Sequence, residues 1–168
     1  MTVSTDELVA DRLVETLAIC TRDVFDTMVG RALTEKTPLD GDALRPASNL
    51  VGMIGFTGST SGLVVFYTTY EAAREITAGL LGMDDPGEAS RDEVVDAIGE
   101  VTNMIAGSFR TRLATEGDAW AISVPTVTLG SDFYIKPVTT GRRTMLPFGM
   151  GQHEVFVELI LTRRIGRA

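Results

Sequence analysis

The stretch Ser90-Arg91-Asp92-Glu93-Val94-Val95-Asp96-Ala97-Ile98-Gly99-Glu100-Val101-Thr102-Asn103-Met104-Ile105-Ala106-Gly107-Ser108-Phe109 separates two groups of strand-like segments. Ser90 followed three residues later by Glu93 is a capping box, in which each side chain accepts from the other residue's backbone N–H. The helix it opens is predicted to run to about Ala114, before Gly117. At roughly 100° per residue, Val94, Val95, Val101, Thr102, Ile105, Phe109 and Leu113 fall within roughly 60° of Ile98, which makes a core stripe. Asp96, Glu100, Asn103 and Gly107 fall on the opposite side, at roughly 140–200°.

Working outward, residues 5–34 read as a long amphipathic helix with Leu13, Leu17, Cys20, Val24 and Met28 on one stripe. Thr37-Pro38-Leu39-Asp40-Gly41-Asp42 breaks it as a surface loop. Residues 49–57 and 62–68 form a β-hairpin joined by Gly58-Ser59-Thr60-Ser61. Thr69 caps a second helix bearing Ala73, Ile76, Leu80 and Leu81, and Gly82 ends it. Asp84-Asp85-Pro86-Gly87 is a turn. After the 90–114 helix come Ile122-Ser123-Val124-Pro125-Thr126-Val127 and segments near 132–138, 142–148 and 153–162 with strand character, the last two turned by Gly149-Met150-Gly151. This order predicts an α+β fold: one domain over 1–168, with an antiparallel sheet packed by a long N-terminal helix and two further helices.

Composition narrows the chemistry. The chain has 168 residues, 44% of them hydrophobic, and a net charge of −8. A domain of this size buries roughly 70% of its unfolded surface and folds without disulfide or metal. Residues 1–100 carry 18 acids and 7 bases and residues 101–168 carry 5 and 8, which argues against nucleic acid as a partner. The basic pairs Arg142-Arg143 and Arg163-Arg164 read as solvated strand ends. Cys20 is the sole cysteine and His153 the sole histidine, so a structural zinc site is not built here, and His153 reads as an ordinary strand position. Neither Lys36 nor Lys136 follows a glycine, which leaves no Walker loop, and Gly55-Phe56-Thr57-Gly58 reads as part of a hairpin. Met1–Glu7 lacks the pattern of a signal peptide, and no apolar run approaches the roughly 20 residues of a membrane helix. A cytoplasmic domain without metal or cofactor of its own is expected.

The outward row invites a functional reading, although a solvated helix face explains it on pattern alone. Gly99, Asn103 and Gly107 share one helix despite their poor helix propensity. Glycines also let another backbone approach. Position 104 is Met, so Glu100 lacks the cation at i+4 that would pair it within the helix. A carboxamide that both donates and accepts can orient a water toward a phosphoryl group. Glu100 would suit a cation belonging to a partner.

Asp96-x-x-x-Glu100-x-x-Asn103, with Pro125 22 positions after Asn103, is similar to the signature of the chemotaxis phosphatase family of CheC, CheX and FliY. Ile98-Gly99-Glu100-Val101-Thr102-Asn103-Met104-Ile105-Ala106-Gly107 and Ser123-Val124-Pro125-Thr126-Val127 extend the likeness, which looks most like CheX. The resemblance implies hydrolysis of the aspartyl phosphate of a CheY-like receiver domain. Asn103 would orient the water, Glu100 would pair with the receiver's lysine, and Asp96, Gly99 and Gly107 would support the contact. The receiver would bring its own Mg²⁺, and homodimers through the sheets are implied as well. Twenty-one residues separate Asn103 from Pro125, one fewer than usual. Asp11-x-x-x-Glu15-x-x-Ala18 has the acids of a second motif without its amide. The alternative is a dimeric interaction module that binds a receiver or motility component without hydrolysis. A stand-alone small-molecule enzyme is disfavoured, because no convergent catalytic set is present.

Overall fold

Why the sheet has one helical face follows from strand alternation. In β3 (Leu50–Thr57) and β4 (Ser61–Thr68), and in β7 (Gly141–Met150) and β8 (His153–Thr162), alternate residues point to opposite sides. Leu50, Phe56, Val64, Phe66, Leu146, Phe148, Val155, Val157 and Leu159 enter the main core. Val51, Val65, Tyr67, Met145 and Ile160 form a second buried cluster. The computed structural model describes residues 5–41, 46–114, 119–131 and 141–162. Among these, eight antiparallel strands run in the order β1-β7-β8-β4-β3-β5. Here β1 is Thr34–Glu35 and β5 is Ala121–Ile122. The short strand β2 (Leu39–Asp40) also pairs with β7, and β6 (Thr126–Leu129) with β3.

Three helices lie on the main-core side: α1 (Thr5–Val24), α2 (Tyr70–Leu81) and α3 (Arg91–Leu113). The α+β reading therefore holds. Thr69 caps α2 by accepting from Ala72 N, and Gly82 ends it at φ 66°. Ser90 and Glu93 form the reciprocal box at the start of α3, and Ala114 is its C-cap.

Four local readings are corrected. The first helix stops well short of residue 34, because the chain widens into a π-helical turn at Phe25–Val29 and Gly30 closes it at φ 69°. The wider turn rotates the stripe. Phe25 and Val29 are buried and Met28 is 52% exposed, so Met28 is not a core position. The loop at 37–42 contains β2, whose Leu39 and Asp40 stand opposite Met145 and Thr144. Gly149 and Met150 belong to β7, and the turn is Gly151-Gln152, with Gly151 at φ 58°. The Arg142-Arg143 pair is not a solvated end. Arg142 ion-pairs with Asp11 at 2.8 Å and Asp40 at 3.7 Å, and Arg143 is buried against Glu158. Neighbouring residues of a strand face opposite ways, which separates the two arginines. The expected strand near 132–138 and the pair Arg163-Arg164 lie outside the described residues.

His153 opens β8, with Nε2 3.0 Å from Glu75 Oε1 on α2. Among the described residues, no helix is long and apolar enough to cross a membrane.

Candidate functional site on the outer face of the third helix

The rotation of α3 decides what it shows to solvent, and small residues set that rotation. Thr102 fills the space over Gly52 of β3 that a Cβ there would occupy. Its hydroxyl donates to Ile98 O at 2.7 Å. A Cβ on Gly99 would lie 3.3 Å from Val127 Cγ2 of β6. Farther along, Phe109 meets Phe56 edge-on, their centroids 5.6 Å apart. Val94, Ile98, Val101, Thr102, Ile105 and Phe109 are all buried, as the stripe predicts, while Val95 and Leu113 are half-buried against the core.

This leaves the predicted row outside. Asp96 and Glu100 are exposed, and Asn103 and Gly107 are half-buried. The side chains of Asp96, Glu100 and Asn103 make no hydrogen bond or ion pair among the described residues. The amide and the carboxylate are less than one turn apart, and neither is engaged by another described side chain. Above Gly107 nothing lies within 4 Å of where a Cβ would be, so the fold itself makes no demand for glycine there.

Gly99 is a correction. It is buried, and its missing side chain lets β6 pack closely against α3, so it offers no surface to a partner. The row in α1 fails for a comparable reason. Ala18 is buried, Asp11 is engaged by Arg142, and no amide stands beside Glu15. Among the described residues no group of three or more His, Cys, Asp or Glu is placed to hold a metal ion.

Sequence reasoning missed a break in the edge that pairs with β3. The segment of strand character over 122–127 contributes to two strands, β5 and β6, interrupted at Ser123-Val124-Pro125. Ser123 N donates to Gly55 O at 2.8 Å, and Gly55 N donates to Ser123 Oγ at 2.9 Å. Val124 is 82% exposed. A proline within an apparent strand was the available signal, since proline is confined to edges and bulges.

Residues 50–149, a span that includes α3 and the β5–β6 edge, match the family described as chemotaxis phosphatase CheX. A curated relative, CheY-P phosphatase CheX of Thermotoga maritima, is 32% identical over 109 residues, covering 64% of this chain and 68% of that one. The crystal structure of chemotaxis protein CheX from Desulfovibrio desulfuricans is 27% identical, with a TM-score of 0.80 over 89% of this chain and 99% of that one. CheX from Vibrio vulnificus is 25% identical, with a TM-score of 0.80 over 89% and 99% of the two chains. With its outward carboxylate and amide on α3 and a match across β3 to β7, this chain belongs to the chemotaxis phosphatase CheX family.

Proposed function

We propose that this chain is a phosphatase acting on the aspartyl phosphate of a CheY-like receiver domain; its Thermotoga maritima relative is named a CheY-P phosphatase. The observation that carries the reading is the pair of exposed Glu100 and half-buried Asn103, their side chains unpartnered among the described residues, on a helix packed closely against the sheet. The Asn103 carboxamide accepts a hydrogen bond from a water and aligns its oxygen with phosphorus. The water oxygen–phosphorus bond forms as the bond from phosphorus to the aspartyl oxygen breaks. The receiver regains its carboxylate, and the water's protons pass to phosphate and solvent. Positioning of this kind is the main demand of phosphoryl transfer. Glu100, repelled by phosphate, pairs with the receiver's active-site lysine and so registers the two proteins. Mg²⁺ comes with the receiver. The reading places one such unit per chain in the cytoplasm with its receiver, and the family resemblance extends it to a homodimer, which sedimentation would check.

The test follows loss of phosphate from a phosphorylated CheY-like receiver with and without the protein. The wild type shortens the phosphate lifetime, and Asn103→Ala slows turnover roughly 10²–10⁴-fold. Receiver binding with an unchanged phosphate lifetime would replace this reading with that of a non-catalytic interaction module.

A further inference from the structure

The interruption between β5 and β6 is a β-bulge. Ile122 stands opposite Phe56 and Thr126 opposite Met53, so the edge takes four steps where β3 takes three. The extra residue in a bulge bends the strand and re-aims a side chain. Here it turns out Val124, the most exposed large hydrophobic residue of the described chain at 82%. The others range from 40% to 59%.

Its backbone is fixed on both sides. Ser123 makes two hydrogen bonds to Gly55, and its hydroxyl also contacts Val124 O at 3.2 Å. Pro125 has a locked φ and restricts the residue before it to extended conformations. The level of Val124 along α3 is bracketed by two contacts. Gly99 lies against Val127, and Phe109 packs on Phe56, which pairs with Ile122. The strand residues between Val127 and Ile122 therefore run beside the helix residues between Gly99 and Phe109, the segment that contains Asn103 and Gly107.

We propose that Val124 is a docking residue of the phosphatase site: it seats an apolar patch of the phosphorylated receiver beside Asn103. The inference rests on the proposed phosphatase function. An apolar side chain held in one place loses little conformational freedom on contact. A desolvated apolar contact at this point keeps bulk water from one side of the site. Val124 acts on the encounter with the receiver, while Asn103 acts on the water.

The test measures KM and kcat for loss of phosphate from a CheY-like receiver encoded by the same genome and phosphorylated with acetyl phosphate. Val124→Asp raises KM at least about tenfold, with kcat falling less than about threefold, and Val124→Leu restores KM to within about twofold of the wild type. Circular dichroism of each variant matches the wild type, because the side chain is 82% exposed. An unchanged KM in Val124→Asp overturns the docking role and leaves the phosphatase reading intact. A wild type that fails to shorten the phosphate lifetime overturns both.

Discussion

Thr102 stands where a side chain on Gly52 would have to go, and this one substitution of volume fixes how α3 rests on β3. Thr102 points inward from the position before Asn103, so the contact also sets how far the amide is turned to solvent. Gly52→Ala should cost about 2 kcal/mol, as overpacking of a filled core does. Chemical denaturation measures it. Combining it with Thr102→Ala should return at least about 0.5 kcal/mol as a coupling term. Strict additivity would show that the two residues do not share the space.

Gly107 carries the opposite expectation. A helical glycine with open space above it is replaced by alanine at a gain of about 0.5–1 kcal/mol. The thermal midpoint should rise, while kcat/KM toward a phosphorylated receiver falls because the added methyl stands on the docking face. A more stable variant with full activity would remove Gly107 from that face.

Glu100 is tested through charge. Glu100→Gln should lower kcat/KM by about 10–100-fold and flatten its dependence on salt, since the lost attraction is screened by ions. Folding stability should move by no more than about 0.5 kcal/mol, as at other exposed sites. Equal salt slopes for the two proteins would argue against an ion pair with the receiver.

A buried charge network joins β4, β7 and β8 in the second cluster. Arg143 Nε donates to Glu158 Oε1 at 2.6 Å, and Tyr67 Oη donates to Glu158 Oε2 at 2.6 Å. Burial and the adjacent carboxylate push the Tyr67 phenol well above its ordinary range, so the hydroxyl remains a donor. Glu158→Gln should cost about 1.5–3 kcal/mol, because the hydrogen bonds that Arg143 and Tyr67 give to a buried carboxylate then go to a neutral amide. Tyr67→Phe should cost less, since it leaves the Arg143–Glu158 ion pair in place. A larger loss for Tyr67→Phe in urea unfolding would put the weight of the network on the phenol.

At the start of α3, hydrogen bonds from Ser90 hold the Glu93 carboxyl below its ordinary value of 4.5. A carboxyl with a lowered folded-state pKa adds stability above its unfolded pKa. That contribution disappears as pH falls through the folded value. Ser90→Ala should raise the Glu93 pKa toward 4.5, read by NMR titration, and flatten the acid limb of the stability curve. It should also cost about 1 kcal/mol near neutral pH through the lost N-cap. An unmoved Glu93 titration would separate the cap from the shift.

Much of this architecture can be read directly from residue order. The apolar period of α3, the Ser90–Glu93 box, the Thr69 and Gly82 caps and the alternation in β3 and β4 are local signals, and the folded chain honours them. The outward placement of Asp96, Glu100 and Asn103 belongs with them, since helical geometry alone divides the inner face from the outer. The π-turn that expels Met28 was not legible, because a widened turn leaves no mark in a 3.6-residue period. Gly99 misled for a related reason: periodicity gives an angle around the helix and does not say which neighbour lies beyond it.

Sequence by itself therefore determined the helices, the hairpin, the α+β order and the residues that face away from the core, because each depends on interactions spanning only a few positions. Tertiary structure alone decided which glycine serves packing and which stays open, that Arg143 lies buried with Glu158, and that a bulge at the sheet edge leaves Val124 exposed. Those outcomes depend on atoms brought together from distant parts of the chain, and local periodicity holds no information about that meeting.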